Sequence, residues 1–198
     1  MSKLRNTVCF DDVLLVPRYS EIRSRKDIDL SYTIKNIPEH FELPIVSSPM
    51  DTVTENEMCA AILRTGGLGV IHRYNTIEEQ CEIAAKVYEE FDREDNHLKG
   101  KIASAIGVSG DYLERAKALH TAGVNIFCVD VAHGHHILMK NALKNLRSVF
   151  GDTVHIMAGN VATLEAFNDL SDWGADSVRV GIGAVSYTHL TLPTSDLV

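Results

Sequence analysis

The sequence predicts an α/β protein, an incomplete (β/α)8 TIM barrel with about six βα units behind a short N-terminal segment, and three observations predict it. Short apolar, β-branched runs recur at Pro44 to Val46, Leu68 to His72, Ile102 to Ile106, Ile126 to Val129, Val154 to Met157 and Ser177 to Val180. Helical stretches separate them, which is the pattern of parallel strands joined by crossover helices. No run is followed by a Gly-x-Gly-x-x-Gly turn. Polar or Gly-rich pieces sit instead at many strand ends, which favours a barrel over a doubly wound sheet. A complete barrel takes roughly 250 residues, so a chain of 198 leaves about two units unaccounted for.

Each unit carries its own punctuation. Thr54 with Glu57, Thr76 with Glu79 and Asp111 with Glu114 are cap-and-acid pairs that can satisfy free amides of a first helical turn from both sides. Thr163 with Glu165 is a looser version, a cap followed by an acid at the positive end of the helix dipole. Gly66 and Gly67, Gly123 and Gly174 stand between a helical stretch and the next strand, where a left-handed residue closes a helix. Thr121-Ala-Gly-Val-Asn125 and Asp172-Trp-Gly-Ala-Asp176 look like one device used twice. Between these marks the helical period is clear in Leu113, Ala116, Leu119 and His120, and in Leu138, Ala142, Leu143 and Leu146.

Composition excludes several classes. An apolar content of 45% suffices for one sizeable core, and no apolar run approaches the roughly 20 residues of a membrane span. The polar start, Met1 to Thr7, shows no secretory signal, so an intracellular, cytoplasmic protein is expected. A net charge of −8 argues against nucleic acid as a partner. Cys9, Cys59, Cys81 and Cys128 lack metal-ligand spacing, and the last three lie in apolar surroundings, as reduced core thiols do.

In a barrel, function collects at the carboxyl ends of the strands. These ends read Ser47-Ser-Pro-Met-Asp51, His72-Arg73, Gly107, Asp130-Val-Ala-His-Gly134, Ala158-Gly-Asn-Val-Ala-Thr163 and Gly181-Ile-Gly183. Taken with Phe10-Asp-Asp-Val-Leu-Leu-Val-Pro17 and Gly66-Gly-Leu-Gly-Val-Ile-His72, they resemble the ordered motifs of the IMP dehydrogenase and GMP reductase family over residues 7 to 183.

That resemblance implies a barrel that binds a purine nucleotide monophosphate and NAD or NADP and works through a cysteine thioimidate. It implies Ser48, Met50, Asn160, Arg179 and Gly181 as substrate-binding residues. His72, Asp130, Val131, Ala132, Asn160, Gly181 and Gly183 are implied for the cofactor, with Asp130 accepting from the nicotinamide ribose. The carbonyl of Gly183 matches a ligand of a monovalent cation, potassium, and the intact parent is expected to be a homotetramer. The residues also have plainer uses. Asp130 suits a loop cap, Asn160 can hold its own turn, Met50 suits a core, and His72 is either a pocket residue or a satisfied buried histidine. Adjacent His133, His135 and His136 point different ways in an extended loop and do not suggest a metal site. Arg179 lies inside a strand, where a buried charge needs a partner such as a carboxylate or a substrate group.

Two directions of chemistry share this scaffold. The regulatory CBS pair usual in dehydrogenases is absent between Gln80 and Lys101, where only a helix and the charged piece Phe91 to His97 stand, and Asp130-Val-Ala is reductase-like. The Ser47 to Glu55 and Gly66 to His72 motifs look more like the dehydrogenase branch, which is the expected reading, with GMP reductase as the alternative. A barrel binding an unrelated phosphate ligand is the remote alternative. In the family the nucleophilic cysteine would stand five residues after Gly183, where this chain has Thr188. The domain is therefore expected to span 1–183. Residues 184–198 read as a non-native adapter tail, and the chain as an inactive fragment without a catalytic residue of its own.

Overall fold

A computed structural model describes residues 14–92 and 101–182. Cys9, Gly183, residues 184–198 and most of the charged piece after Asp92 lie outside the described residues. The chain divides into two units, Leu30–Val180 and a smaller one of Met1–Asp29 with Gly181–Val198. In the smaller unit, residues 14–24 are irregular and lead into a short 3-10 turn, Arg25–Asp27, capped by Ser24, whose Oγ accepts from the Lys26 amide at 3.2 Å.

The larger unit opens with an antiparallel hairpin, β1 (Tyr32–Ile34) and β2 (Ile37–Phe41), turned at Lys35 and Asn36. Asn36 takes φ 66, a left-handed conformation that Asn tolerates better than most residues. Five parallel strands follow in spatial order: β3 (Val70–Ile71), β4 (Ala103–Ile106), β5 (Ile126–Asp130), β6 (His155–Val161) and β7 (Ser177–Val180). The helices between them are α1 (Asn56–Arg64) before β3, then α2 (Ile77–Asp92), α3 (Tyr112–Thr121), α4 (Ile137–Phe150) and α5 (Leu164–Asp172). Among the described residues the sheet is open.

Five of the six expected strands form. The first run reduces to one parallel bridge, Val46 to Leu68. Pro44 brings no amide to a ladder, so pairing starts at Ile45, whose carbonyl accepts from Leu68 N at 2.8 Å. Ser47 completes the seam with its side chain, Oγ accepting from Val70 N at 2.9 Å.

Both faces of the sheet are covered, as the uninterrupted apolar runs require. Ile106, Phe127, Val129, Ile156 and Ala158 join the core built with the helices. Ala103, Ala105, Ile126, Cys128 and Met157 face the other way, against Ile37 and Phe41 of the hairpin. The hairpin is pinned at the amino ends of the strands: Asn36 Nδ2 donates to Val154 O at 3.1 Å and His155 Nδ1 to Lys35 O at 2.8 Å. Buried Asp176 ties the same end together. It takes the Ile156 amide at 2.9 Å, Lys35 Nζ at 3.0 Å and the Arg147 guanidinium. Arg147 also donates to the carbonyls of Gly151, Val154 and Gly174.

The caps divide. Thr76 and Glu79 bond each other's amides reciprocally at 3.1 and 2.9 Å, and Thr163 Oγ1 accepts from Ala166 N at 3.2 Å. Thr54 is no cap: it is buried and its hydroxyl donates to Ser48 O at 2.6 Å, while Glu55 occupies the cap position. The carboxylate of Asp111 turns to Arg115 at 3.1 Å, since a guanidinium one turn along outcompetes an amide. Gly66, Gly123 and Gly174 take positive φ and close α1, α3 and α5 identically, each with the paired amide bonds of a Schellman motif. In α4 the buried stripe is Met139, Ala142, Leu143 and Leu146, and Leu138, expected in it, is exposed.

Candidate functional site

With the hairpin over the amino ends of the strands, the carboxyl ends remain as the face where polar groups collect. β6 runs between β5 and β7 and puts Gly159 opposite both Asp130 and Arg179. A Cβ on Gly159 would stand 2.6 Å from Arg179 Cβ and 2.7 Å from its carbonyl oxygen. The bare glycine therefore leaves room for the Arg179 side chain to lie across β6. It reaches over two strand spacings, roughly 10 Å, to Asp130 Oδ1 at 2.5 Å and Cys128 Sγ at 3.4 Å. Arg179 thus has the carboxylate partner its place in a strand requires.

The electrostatics follow from this geometry. Burial pulls the Arg179 guanidinium down, and Cys128 and Asp130 beside it more than reverse that, leaving its pKa raised. Burial pushes the Cys128 thiol up to about 11, with Arg179 and Arg73 working in the opposite sense and Asp130 adding to the rise. Arg73 therefore shares this site. Its guanidinium lies against Gly107, where a Cβ would sit 3.6 Å from Nη1, and over the Tyr74 ring at 5.4 Å. The Arg179–Asp130 pair meets the buried sulfur, and Arg73 adds a second guanidinium at the end of β4, a locally cationic edge on an anionic chain.

The other expected residues fall into two groups around it. Asn160 and Val131 are joined through the backbone: Val131 N donates to Gly159 O at 3.0 Å and Asn160 N to Val131 O at 2.9 Å. Gly134 N then donates to Asn160 O at 2.8 Å, so the loop after β5 is stitched to the end of β6, with Ala132 exposed upon it. His72 is buried and engaged at both nitrogens. Nδ1 accepts from Tyr74 N at 3.1 Å, which puts the ring proton on Nε2, 3.3 Å from Glu55. Ser48 stands apart from this group. It lines a cavity of about 320 Å³ with Val46 and Ser47 on one side and Met157, Ser177 and Arg179 on the other. Met50 is exposed, and its backbone forms the turn that follows.

That cavity also reports on the shape of the sheet. Val46 and Arg179 belong to opposite edges, and a flat sheet would hold them roughly 24 Å apart. Their sharing one cavity means that the sheet curls.

Gly181 follows β7 with φ 132, a conformation that favours glycine. The three histidines diverge. His135 bonds Asp169 at 2.8 Å and stacks on Trp173, His136 caps α4 by accepting from Leu138 N at 3.1 Å, and His133 is exposed. Two participants, Arg73 and Cys128, were not among the expected binding residues. For Arg73 a signal existed, a basic residue directly after the end of a strand. For Cys128 there was none, because a core thiol reads the same beside an arginine as elsewhere.

A family model described as IMP dehydrogenase / GMP reductase domain matches residues 7–190. An inosine-5'-monophosphate dehydrogenase of Cryptosporidium parvum is 34% identical over 207 residues, 88% of this chain and 51% of that protein. A GMP reductase of Acidovorax sp. (strain JS42) is 31% identical over 177 residues, 88% of this chain and 50% of that protein. A dehydrogenase of Nitrosopumilus maritimus (strain SCM1) is 27% identical over 302 residues, 93% of this chain and 63% of its own. The chain spans about half the length of the first two of these curated relatives.

Proposed function

The chain belongs to the IMP dehydrogenase / GMP reductase family, and from that premise we propose that it is part of a purine-nucleotide oxidoreductase of the dehydrogenase type. The parent reaction is IMP, NAD and water to XMP and NADH. The observation that carries the reading is the Arg179–Asp130 pair laid over Cys128, with Arg73 at Gly107, at the carboxyl edge of a parallel sheet. A locally cationic site on a chain of net charge −8 selects an anionic ligand of defined shape rather than polyanions in general. The curl of the sheet supports a six-unit sector of a (β/α)8 barrel, whose sites lie at this edge.

In this reading Ser48, Met50, Asn160, Arg179 and Gly181 hold the nucleotide. Val131, Ala132, His72 and Gly183 belong to the cofactor side, with Asn160 and Gly181 between the two. The donor set suits a nicotinamide nucleotide: Arg179 takes Oδ1 of Asp130 and leaves Oδ2 to accept from a ribose hydroxyl. The cofactor, NAD or NADP, supplies the hydride acceptor, and the residues of this chain bind and orient it. A potassium ion at the Gly183 carbonyl, a cytoplasmic homotetramer, and a tail from 184 that is foreign to the fold belong to the same proposal.

Burial pushes the thiols of Cys59, Cys81 and Cys128 up, to about 12 for Cys59 and about 11 for Cys128, which is the reverse of what a nucleophile needs. The family resemblance puts the nucleophilic cysteine in the loop after Gly183, where this chain has Thr188, and a threonine hydroxyl is a far weaker acid than a thiol. The 198-residue chain is expected to lack turnover, and its parent reading frame to have it.

GMP reductase is the second reading, favoured by Asp130-Val-Ala and by the 31% identity to the Acidovorax enzyme. Parent protein given IMP and NAD should build the reduced-nicotinamide absorbance band, whereas a reductase consumes NADPH with GMP. Silence in both assays refutes the oxidoreductase reading, and full turnover by the 198-residue chain refutes its inactivity.

A further inference from the structure

Behind the site, on the helix side of the sheet, lies a buried polar network. Gln80 in α2 is fully buried, and its Nε2 donates to two carbonyls at once, His72 O at 2.9 Å and Ala105 O at 2.9 Å. It thereby ties the ends of β3 and β4 together. Gln80 Oε1 in turn accepts from Arg115 Nη1 at 2.9 Å. Arg115, in α3, keeps only 7% of its surface exposed. Its other bonds run to the chain just beyond His72: Asn75 O at 2.9 Å and Thr76 O at 3.4 Å, with Asp111 Oδ2 at 3.1 Å as the compensating charge.

A buried guanidinium is costly unless its donors are filled, and a planar fork can fill several in one fixed geometry. Here those acceptors are loop carbonyls, so the energy that keeps Arg115 buried depends on the loop having this one shape. The loop seals itself from within as well, Tyr74 N donating to His72 Nδ1 at 3.1 Å and Thr76 N to Glu79 Oε2 at 2.9 Å. Its passenger is Arg73, whose guanidinium lies against Gly107 just past the end of β4.

We propose that Gln80 and Arg115 are positioning residues: they hold the segment from His72 to Thr76 in the shape that delivers Arg73 to the strand-end site. Gln80 meets the site only through the backbone carbonyl of His72, and Arg115 only through the segment that follows it. The network contributes to ligand affinity only through the residues this segment carries, Arg73 and His72, and that part rests on the functional reading above. The shape of the loop is independent of it.

The test uses the purified 198-residue chain and hydrogen exchange at single amides. In Arg115→Met the amides of Tyr74 and Thr76 should exchange at least about tenfold faster, and trypsin should cut after Arg73 correspondingly sooner. Amides of α4 and β6 should change by less than about twofold, as expected of a local opening. Arg115→Lys, which keeps the charge but not the fork, should fall between wild type and Arg115→Met. Ala116→Gly is the control, since it weakens α3 one residue away without touching the network. Where a variant is too unstable to purify, Gln80→Glu, which removes the two donors to His72 and Ala105, takes its place in the same measurement.

Titration with IMP as the probe separates the two readings. If wild type binds IMP, Arg115→Met should weaken binding about tenfold and Ala116→Gly should leave it unchanged. If wild type binds no IMP, the functional reading of this chain's site falls, and the exchange data alone decide the loop. Unchanged exchange at Tyr74 and Thr76 in Arg115→Met overturns the proposal. So does acceleration spread evenly over all helices, or a loosened loop with undiminished IMP binding.

Discussion

Replacing Asp176 by Asn removes one charge from the amino end of β7 while keeping the shape of the side chain, and the structure fixes what that should cost. The Asp176 side chain is 1% exposed and meets the Ile156 amide, Lys35 and Arg147. Removing one partner of a buried ion pair costs about 3–5 kcal/mol. Two features place this case lower. Arg147 keeps three carbonyl acceptors, and the Lys35 side chain is 63% exposed and can return to water. A loss of about 2 kcal/mol is expected, a fall in Tm of about 4–8 °C for a domain of this size. The pH dependence carries the sign. Burial alone pushes the Asp176 carboxyl up, and the Ile156 amide with Arg147 and Lys35 more than reverses it, so it lies below its ordinary 3.8 when folded. A carboxyl depressed by folding contributes stability that is fully present above its unfolded value and is lost as pH falls through the folded one. The gap between wild type and Asp176→Asn should stay level from neutral pH to about pH 5 and close below the ordinary carboxyl value. Urea unfolding at a series of pH values measures it. A gap under about 0.5 kcal/mol at pH 7, within the range of an ordinary surface substitution, would falsify the argument, as would one that persists unchanged in acid.

Three further outcomes follow from the same geometry. Gly159→Ala puts a methyl group against Arg179 Cβ and backbone and should cost about 1–3 kcal/mol or more, since neither β6 nor β7 can step aside; a denaturant midpoint within error of wild type sinks the crossing of Arg179 over β6. Iodoacetamide at pH 8 with peptide mapping should label half-buried Cys81 well before Cys59 and Cys128, whose thiols are buried and raised, and native labelling of Cys128 at the Cys81 rate would contradict its burial. Thr163→Ala and Thr76→Ala should each lower stability by about 1 kcal/mol through loss of a helix cap, read from urea unfolding, and a loss under about 0.3 kcal/mol in both would remove the capping assignment.

Much of the local plan was written in residue types whose effect stays within a few positions. The three glycines that close α1, α3 and α5 work through backbone conformation alone, so Gly66, Gly123 and Gly174 could be placed without knowing their neighbours. Thr76 and Thr163 cap as expected for the same reason. Thr54 and Asp111 failed where a distant or competing partner was available: Ser48 O for one, the Arg115 fork for the other. The hairpin at Tyr32–Phe41 was missed because three- and five-residue strands give little periodicity, though Asn36 at its turn was a usable sign.

The sequence by itself determined the run of parallel strands, the caps that depend on one side chain and one amide, and the family, whose motifs lie at strand ends because chemistry is built there. It also required a partner for Arg179 without saying which. Only the tertiary structure decided that the partner is Asp130, reached across Gly159, that Arg73 lies against Gly107 at the end of β4, and that Gln80 and Arg115 brace the loop carrying it. Arg179 and Asp130 are 49 positions apart and Arg115 and Gln80 are 35 apart. Such pairs depend on strand register and on which face each side chain takes. A sequence pattern fixes periodicity along one element, and the juxtaposition of two elements appears only when both are packed.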